Sequence, residues 1–302
     1  MAEAWKRKKK WKSDDELQYA IVLNSCYRNN QQDSSTSFSY TFPEPLTDIT
    51  SMKLSAIELP VDSYFSISEF KKNNVFYITD NNYEVIINDG NYIDIDQMVL
   101  MINTAIFNTW NDISDNNPTE LFEDTSTDSS CSLYAENVNN YTMAFCNNAG
   151  IDISINFSTL KSDPKFIESL GWILGYRRSQ ANILANYSLN AEAVLSLTPT
   201  KSFLFCLDDF TGRYKDNIKV AFSSSFLNKP VLARIPFIRT TDSNKTFVLN
   251  KFNDTPINIR LYSGPITIQK IKVEILDELG RLITLNNADY NFILTFTKEI
   301  SD

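Results

Sequence analysis

A chain of 302 residues with 43% hydrophobic and 13% aromatic content can bury roughly three-quarters of the surface its unfolded form exposes, which excludes global disorder and any need for a disulfide or metal to fold. Its formal charge of −9 speaks against a surface given over to nucleic acid. The lack of any histidine, with Cys26, Cys131, Cys146 and Cys206 in no paired spacing, excludes the common structural zinc sites and every histidine-based nucleophile or general base.

The first residues depart from this acidic average. Lys6, Arg7, Lys8, Lys9, Lys10 and Lys12, flanked by Trp5 and Trp11, form a cationic arm that cannot pack a core and is expected to stay extended until something binds it. Phosphate backbones, an anionic membrane face, an acidic protein groove or an import receptor would all attract it; a solvated terminus is the plainer reading. No apolar stretch follows the basic one, so a secretory leader is not expected.

From Tyr19, YAIVLN reads as a strand and the polar QQDSSTS as a loop. Phe38, Tyr40 and Phe42 alternate with polar residues up to Pro43 and Pro45, and a second strand is expected from Ile49 to Leu59. Met52, Leu54, Ala56 and Leu59 supply its inward row, Pro60 ends it, and Val75 begins another strand. A change of period follows the turn Asn88-Asp89-Gly90. Ile95, Val99, Ile102, Ile106 and Trp110 recur at helical spacing, and Asp94 with Gln97 makes a capping box at the helix start. Residues 111–130 read as an acidic mobile loop. Tyr141–Cys146 and Ile151–Phe157 read as strands, Asp163-Pro164 as the start of a short helix, and Gly171 and Gly175 bracket Trp172-Ile173-Leu174 as helix end and packed turn.

Beyond Val194 the chain reads as strand after strand: SFLFCLDDF, NIKVAFSS, VLARIPF, TFVLNKF, INIRLYS and a closing trio. In the trio, Ile271, Val273 and Ile275 alternate with Lys270, Lys272 and Glu274. Gly280 then allows the turn, Leu282, Ile283 and Leu285 begin the return, and Phe292, Leu294 and Phe296 form the last row.

Little chemistry is encoded. Asp208-Asp209 point to opposite faces of a strand and read as a solvated strand end or turn, not a paired-acid site. NDGNYIDID lacks the regular ligand spacing and closing Glu of a calcium loop. Seven glycines in no phosphate-cradling order exclude an NTPase. Neither an enzyme nor a cofactor is expected.

Several stretches together resemble a family of structural proteins of nucleocytoplasmic large DNA viruses, the minor capsid and vertex (penton-like) proteins of giant icosahedral particles. They are the opening IVLNSCYRNN with FSYTFPEPLTDITSMKLSAIELP, the module from IINDGNYIDIDQMVLMIN to SLGWILGYR, and the closing LFCLDDF with GPITIQKIKVEILDELGRLITLNNADYNFILTF. Tyr176 stands where that family has Phe. The resemblance spans most of residues 19–298 and implies a jelly-roll-like β-sandwich acting as a virion building block, with no catalytic residue to carry over. It implies as partners other capsid proteins, major and minor, and further copies of the chain, a pentamer included. Nucleic acid or an inner membrane are alternative partners of the arm. Location in the virion capsid follows, with assembly in host cytoplasm or nucleus.

The expected organisation is a mainly β chain: an arm at 1–18, an antiparallel jelly-roll-like sandwich from 19–82 plus 190–302, and an α+β insertion at 83–189. A carbohydrate-binding sandwich on a virion surface, stacking sugars on exposed Trp and Tyr, is the rival from another class.

Overall fold

The computed structural model describes residues 16–78, 83–114, 132–157, 166–197, 200–213, 218–236, 247–249 and 259–300. In chain order its elements are β1 (Glu16–Asn24), β2 (Ser37–Pro60), β3 (Val75–Ile78), β4 (Tyr83–Ile86), α1 (Ile95–Ser114), β5 (Leu133–Asn137), β6 (Met143–Asn147), β7 (Ile153–Asn156), α2 (Leu170–Leu174), β8 (Gln180–Ile183), β9 (Ser188–Asn190), β10 (Ser202–Asp208), β11 (Val231–Pro236), β12 (Phe247–Leu249), β13 (Ile259–Asp277) and β14 (Asn291–Glu299). The chain divides into two compact units, residues 1–64 with 200–302, and 65–199. The second unit is thus larger than the expected insertion. The strand at Val75, expected in the sandwich, pairs instead with β4 and β7.

The first unit is one antiparallel sheet in the order β1-β14-β2-β13-β10-β11, with β12 on β2. Its two long strands make it fold over its own core. Phe296 lies opposite Met52, and Phe42 sits ten residues before Met52, a span of ~33 Å in a straight strand. Yet the Phe42 and Phe296 ring centres are 6.4 Å apart. β2 must therefore bend back across the core. Phe205 of β10 likewise meets Phe292 of β14 at 5.3 Å, although β2 and β13 separate those strands in the sheet. The result is a mainly β unit with antiparallel pairing, consistent with a sandwich. The expected rows Ile271, Val273, Ile275 and Phe292, Leu294, Phe296 are all at most 1% exposed, each worth about 1.5–3 kcal/mol of burial.

Several expected boundaries give way at bulges. The two strands expected on either side of Pro43 and Pro45 are one, β2. The prolines lie between Thr41, opposite Lys270, and Leu46, opposite Ile268, where the register slips and no ladder N–H is needed. Gln269 bridges this slip by donating from Nε2 to the Phe42 carbonyl at 2.8 Å. INIRLYS and the following strand likewise fuse into β13, with Gly264-Pro265 inside a second slip between Leu261 and Ile266. A third slip, between Ile293 and Leu294 opposite Ala56 and Leu54, moves the inward row of β2 from Ala56 to Ile57, which is fully buried. The return segment at Leu282 is a single bridge to Leu276, because Asn286 and Asn287 turn the chain in left-handed conformation directly after it. The expected NIKVAFSS strand reduces, in its described part, to one bridge between Ala221 and Phe226.

The second unit has a four-stranded sheet, β4-β3-β7-β8, and a three-stranded one, β5-β6-β9. Phe76, Phe145, Phe157 and Tyr176 stack among themselves at 5.0–6.2 Å to form its centre. Ile95, Met98, Ile102, Ala105 and Ile106 bury one face of α1. The half-buried Asn103 fastens that helix to β5, donating to the Ala135 carbonyl at 2.9 Å and accepting from the Ala135 N–H at 2.7 Å. Helix α1 continues through residues 111–114, where a loop was expected; the rest of that loop and Asp163-Pro164 lie outside the described residues.

Candidate functional site

The residues singled out by the sequence do not converge. Asp94 caps α1, its Oδ1 accepting from the Gln97 N–H at 2.9 Å, while Gln97 Oε1 accepts from the Ile93 N–H at 2.8 Å. Gly90 exchanges backbone hydrogen bonds with Ile67 at 2.9 and 3.2 Å. Gly171 lies against the Phe157 ring, so close that a Cβ would come within 2.4 Å of it. Gly175 ends α2 at φ 99°. Gly280, at φ 81°, belongs to the first unit. Residues 5–12 of the arm lie outside the described residues.

What the family-like motifs build instead is a set of polar locks in the first unit. In DELGR, Asp277 accepts from the N–H groups of Leu279 and Arg281 at 3.0 and 2.9 Å and from the Arg281 guanidinium at 2.7 and 2.8 Å, closing the turn on itself. The opening motif closes onto the final one. Arg28 donates to Asp289 Oδ1 at 2.8 Å and to the Ser25 carbonyl at 3.0 Å, and the Ser25 hydroxyl donates to the same carboxylate at 2.8 Å. The Tyr290 N–H in turn donates to that hydroxyl at 3.0 Å.

A third lock corrects the reading of Asp208-Asp209 as a solvated end. Asp209 is buried, its side chain 0% exposed and that of Arg260 2%. Its Oδ2 accepts from Arg260 at 3.2 Å and from the Tyr262 hydroxyl at 2.7 Å, its Oδ1 from the Thr211 hydroxyl at 2.6 Å and N–H at 3.0 Å. Burial first, and then the neighbouring carboxylate, push the Tyr262 phenol well above its ordinary value. Asp208, by contrast, accepts from the Phe210 N–H at its strand end, its one side-chain hydrogen bond among the described residues. The signal missed was Arg260 itself: Ile259 and Leu261 flank it outward, which places a cation on the inward row, where it needs a buried acid.

Asp209 and Asp277 use both carboxylate oxygens on fixed donors, whereas Asp289 engages only its Oδ1 and is 39% exposed. Among the described residues no three metal-ligating side chains cluster, and no helix is long and apolar enough to cross a membrane.

At the surface of β13, Glu274 holds Lys229 at 2.7 Å and Lys272 at 3.2 Å. Burial alone would raise its carboxyl, but the two lysine hydrogen bonds and charges outweigh it and leave the group below its ordinary value. The stabilisation is therefore present above the normal carboxylate range and is lost as pH falls through it. The lysines are half-exposed, so Glu274→Gln should cost under about 1 kcal/mol at neutral pH. In urea melts at a series of pH values, that difference should close in acid; a constant difference would contradict the assignment.

Charge divides between the units: the second carries 17 Asp and Glu against 6 Lys and Arg, the first 20 against 22. Exposed apolar side chains are distributed over both. They include Val22 and Phe226 in the first and Ile93, Leu100, Tyr141 and Tyr187 in the second, each at least 63% exposed.

No family model matches the chain, and no curated protein matches it. Among solved structures, the mavirus penton protein, in selenomethionine-labelled crystals, is similar over 93% of this chain and 99% of that one, with 11% identity and a TM-score of 0.39.

Proposed function

We propose that the chain is a structural virion protein, a vertex or minor capsid component that builds an icosahedral shell through protein–protein contacts. The observation that carries this reading is that the stretches resembling capsid proteins of large DNA viruses are turns, caps and locks of a β framework, with Arg28 closed on Asp289, Arg260 on Asp209 and Arg281 on Asp277. Such a framework works by geometry, holding exposed apolar side chains in place for neighbouring subunits. The jelly-roll path of the strands belongs to the same reading, as does location in the capsid.

The basic arm is assigned to contact with a neighbour, ordering when it binds. The acidic surplus of the second unit makes that unit of an adjacent subunit the favoured partner over phosphate or lipid. Deleting residues 1–12 should leave the far-ultraviolet circular dichroism unchanged and reduce incorporation into particles. Full incorporation of the truncated chain, or loss of its β-signal, would refute the arm's role.

A further inference from the structure

We infer that the outer edge of β1 is a two-fold contact between copies of this chain, two β1 strands pairing antiparallel about Ala20. β1 is the terminal strand of its sheet, in unbroken nine-residue register with β14. Among the described residues no strand pairs with its other edge. Of the usual edge protection it has no proline, no lysine and no bulge, and a single charge at its first residue, Glu16.

The main chain fixes which residues offer hydrogen bonds. The Ser25 N–H points to the Tyr290 carbonyl beyond the end of β14 at 2.9 Å. By strand alternation the odd residues of β1 therefore face β14, and Glu16, Gln18, Ala20, Val22 and Asn24 turn their N–H and C=O groups to the open edge. A partner strand must offer the same alternation and keep its apolar row on the same side.

A second β1 meets both conditions. With Ala20 opposite Ala20 of the second copy, all nine residues pair, giving about ten main-chain hydrogen bonds. Gln18 lies opposite Val22. Tyr19 and Ile21, both only half-buried on the core side, face each other across a non-hydrogen-bonded pair, where side chains approach most closely. The strand's single charge, Glu16, falls opposite Asn24, so no like charges meet. Registers that place odd residues opposite even ones set the two cores on opposite faces of the joined sheet, and other even registers leave part of the strand unpaired.

This contact goes beyond the virion reading and does not depend on it, since purified full-length chain is enough to test it. Gln18 and Val22 are exposed, so Gln18→Lys with Val22→Lys should leave the fold intact while setting like charges against each other twice across the two-fold axis. Analytical ultracentrifugation should show wild-type dimers at micromolar concentration and a dissociation constant raised about a hundredfold or more in the lysine variant. Mixing that variant with the chain carrying Gln18→Glu and Val22→Glu should restore a dimer, because only the Ala20-centred register places 18 against 22. A monomeric wild type, a lysine variant that pairs as tightly as wild type, or a mixture that does not re-pair would overturn the inference.

Discussion

Replacing Arg260 with methionine should lower the stability of the first unit by about 3–5 kcal/mol, because it strands the fully buried Asp209 carboxylate without its counter-charge. The guanidinium also donates to the Leu207 carbonyl at 2.7 Å and the Pro230 carbonyl at 3.3 Å. Its loss therefore frees the end of β10 and the approach to β11 as well as the acid. The double variant Arg260→Met with Asp209→Asn should be milder than the single one, since the amide oxygen can keep the Thr211 donors while its NH2 donates to the Tyr262 hydroxyl oxygen, and no buried charge is left alone. Urea denaturation followed by β-sheet circular dichroism measures both. A loss under about 1 kcal/mol for Arg260→Met would mean that water reaches Asp209.

Gly175→Ala is expected to be the most damaging single change in the second unit. At φ 99° the left-handed backbone alone costs a side chain about 1–3 kcal/mol, and the added Cβ would stand 2.1 Å from the Ala193 carbonyl oxygen. That oxygen belongs to the main chain and cannot rotate aside. Moreover, the Ala193 N–H donates to the Gly175 carbonyl at 2.9 Å, so moving one strand of the contact breaks the other. Gly150→Ala, with ordinary backbone and nothing within 4 Å of its Cβ, should be nearly neutral. Hydrogen exchange resolved by mass spectrometry should show α2 and the segment around Ala193 opening in the first variant only; equal protection in the two would sink the steric argument.

The alternating rows at 271–275 and 292–296 were readable because a one-residue slip would expose every side chain of a buried row, so pattern and register fix each other. Breaks in that pattern were harder to read. Pro43, Pro45 and Pro265 look like strand ends, yet each sits inside a register slip that removes the need for its N–H. The switch from Ala56 to Ile57 has the same origin: the bulge inverts the alternation partway along β2. Strands β5, β8 and β9 carry Asn, Glu, Gln and Ser, nearly all at exposed positions, and their propensity is too weak to announce them. Partners far away in the chain decide those segments, as when Asn103 fixes β5.

The polar locks were legible in part. The turn chemistry of DELGR is local, so Gly280 could be read directly, whereas Arg28 reaches Asp289 across 261 positions and Arg260 reaches Asp209 across 51. Only the fold brings those charges together. Read alone, Asp209 resembles any acid at a strand end, and its burial is decided by an inward arginine on another strand.

Quantitative mass spectrometry of purified particles from the source of this sequence tests the virion-building role most directly. The expected result is the chain at a fixed ratio to the main shell protein, retained after detergent and nuclease have stripped lipid and genome. Its absence from the particles, or its complete release by either treatment, would contradict that role.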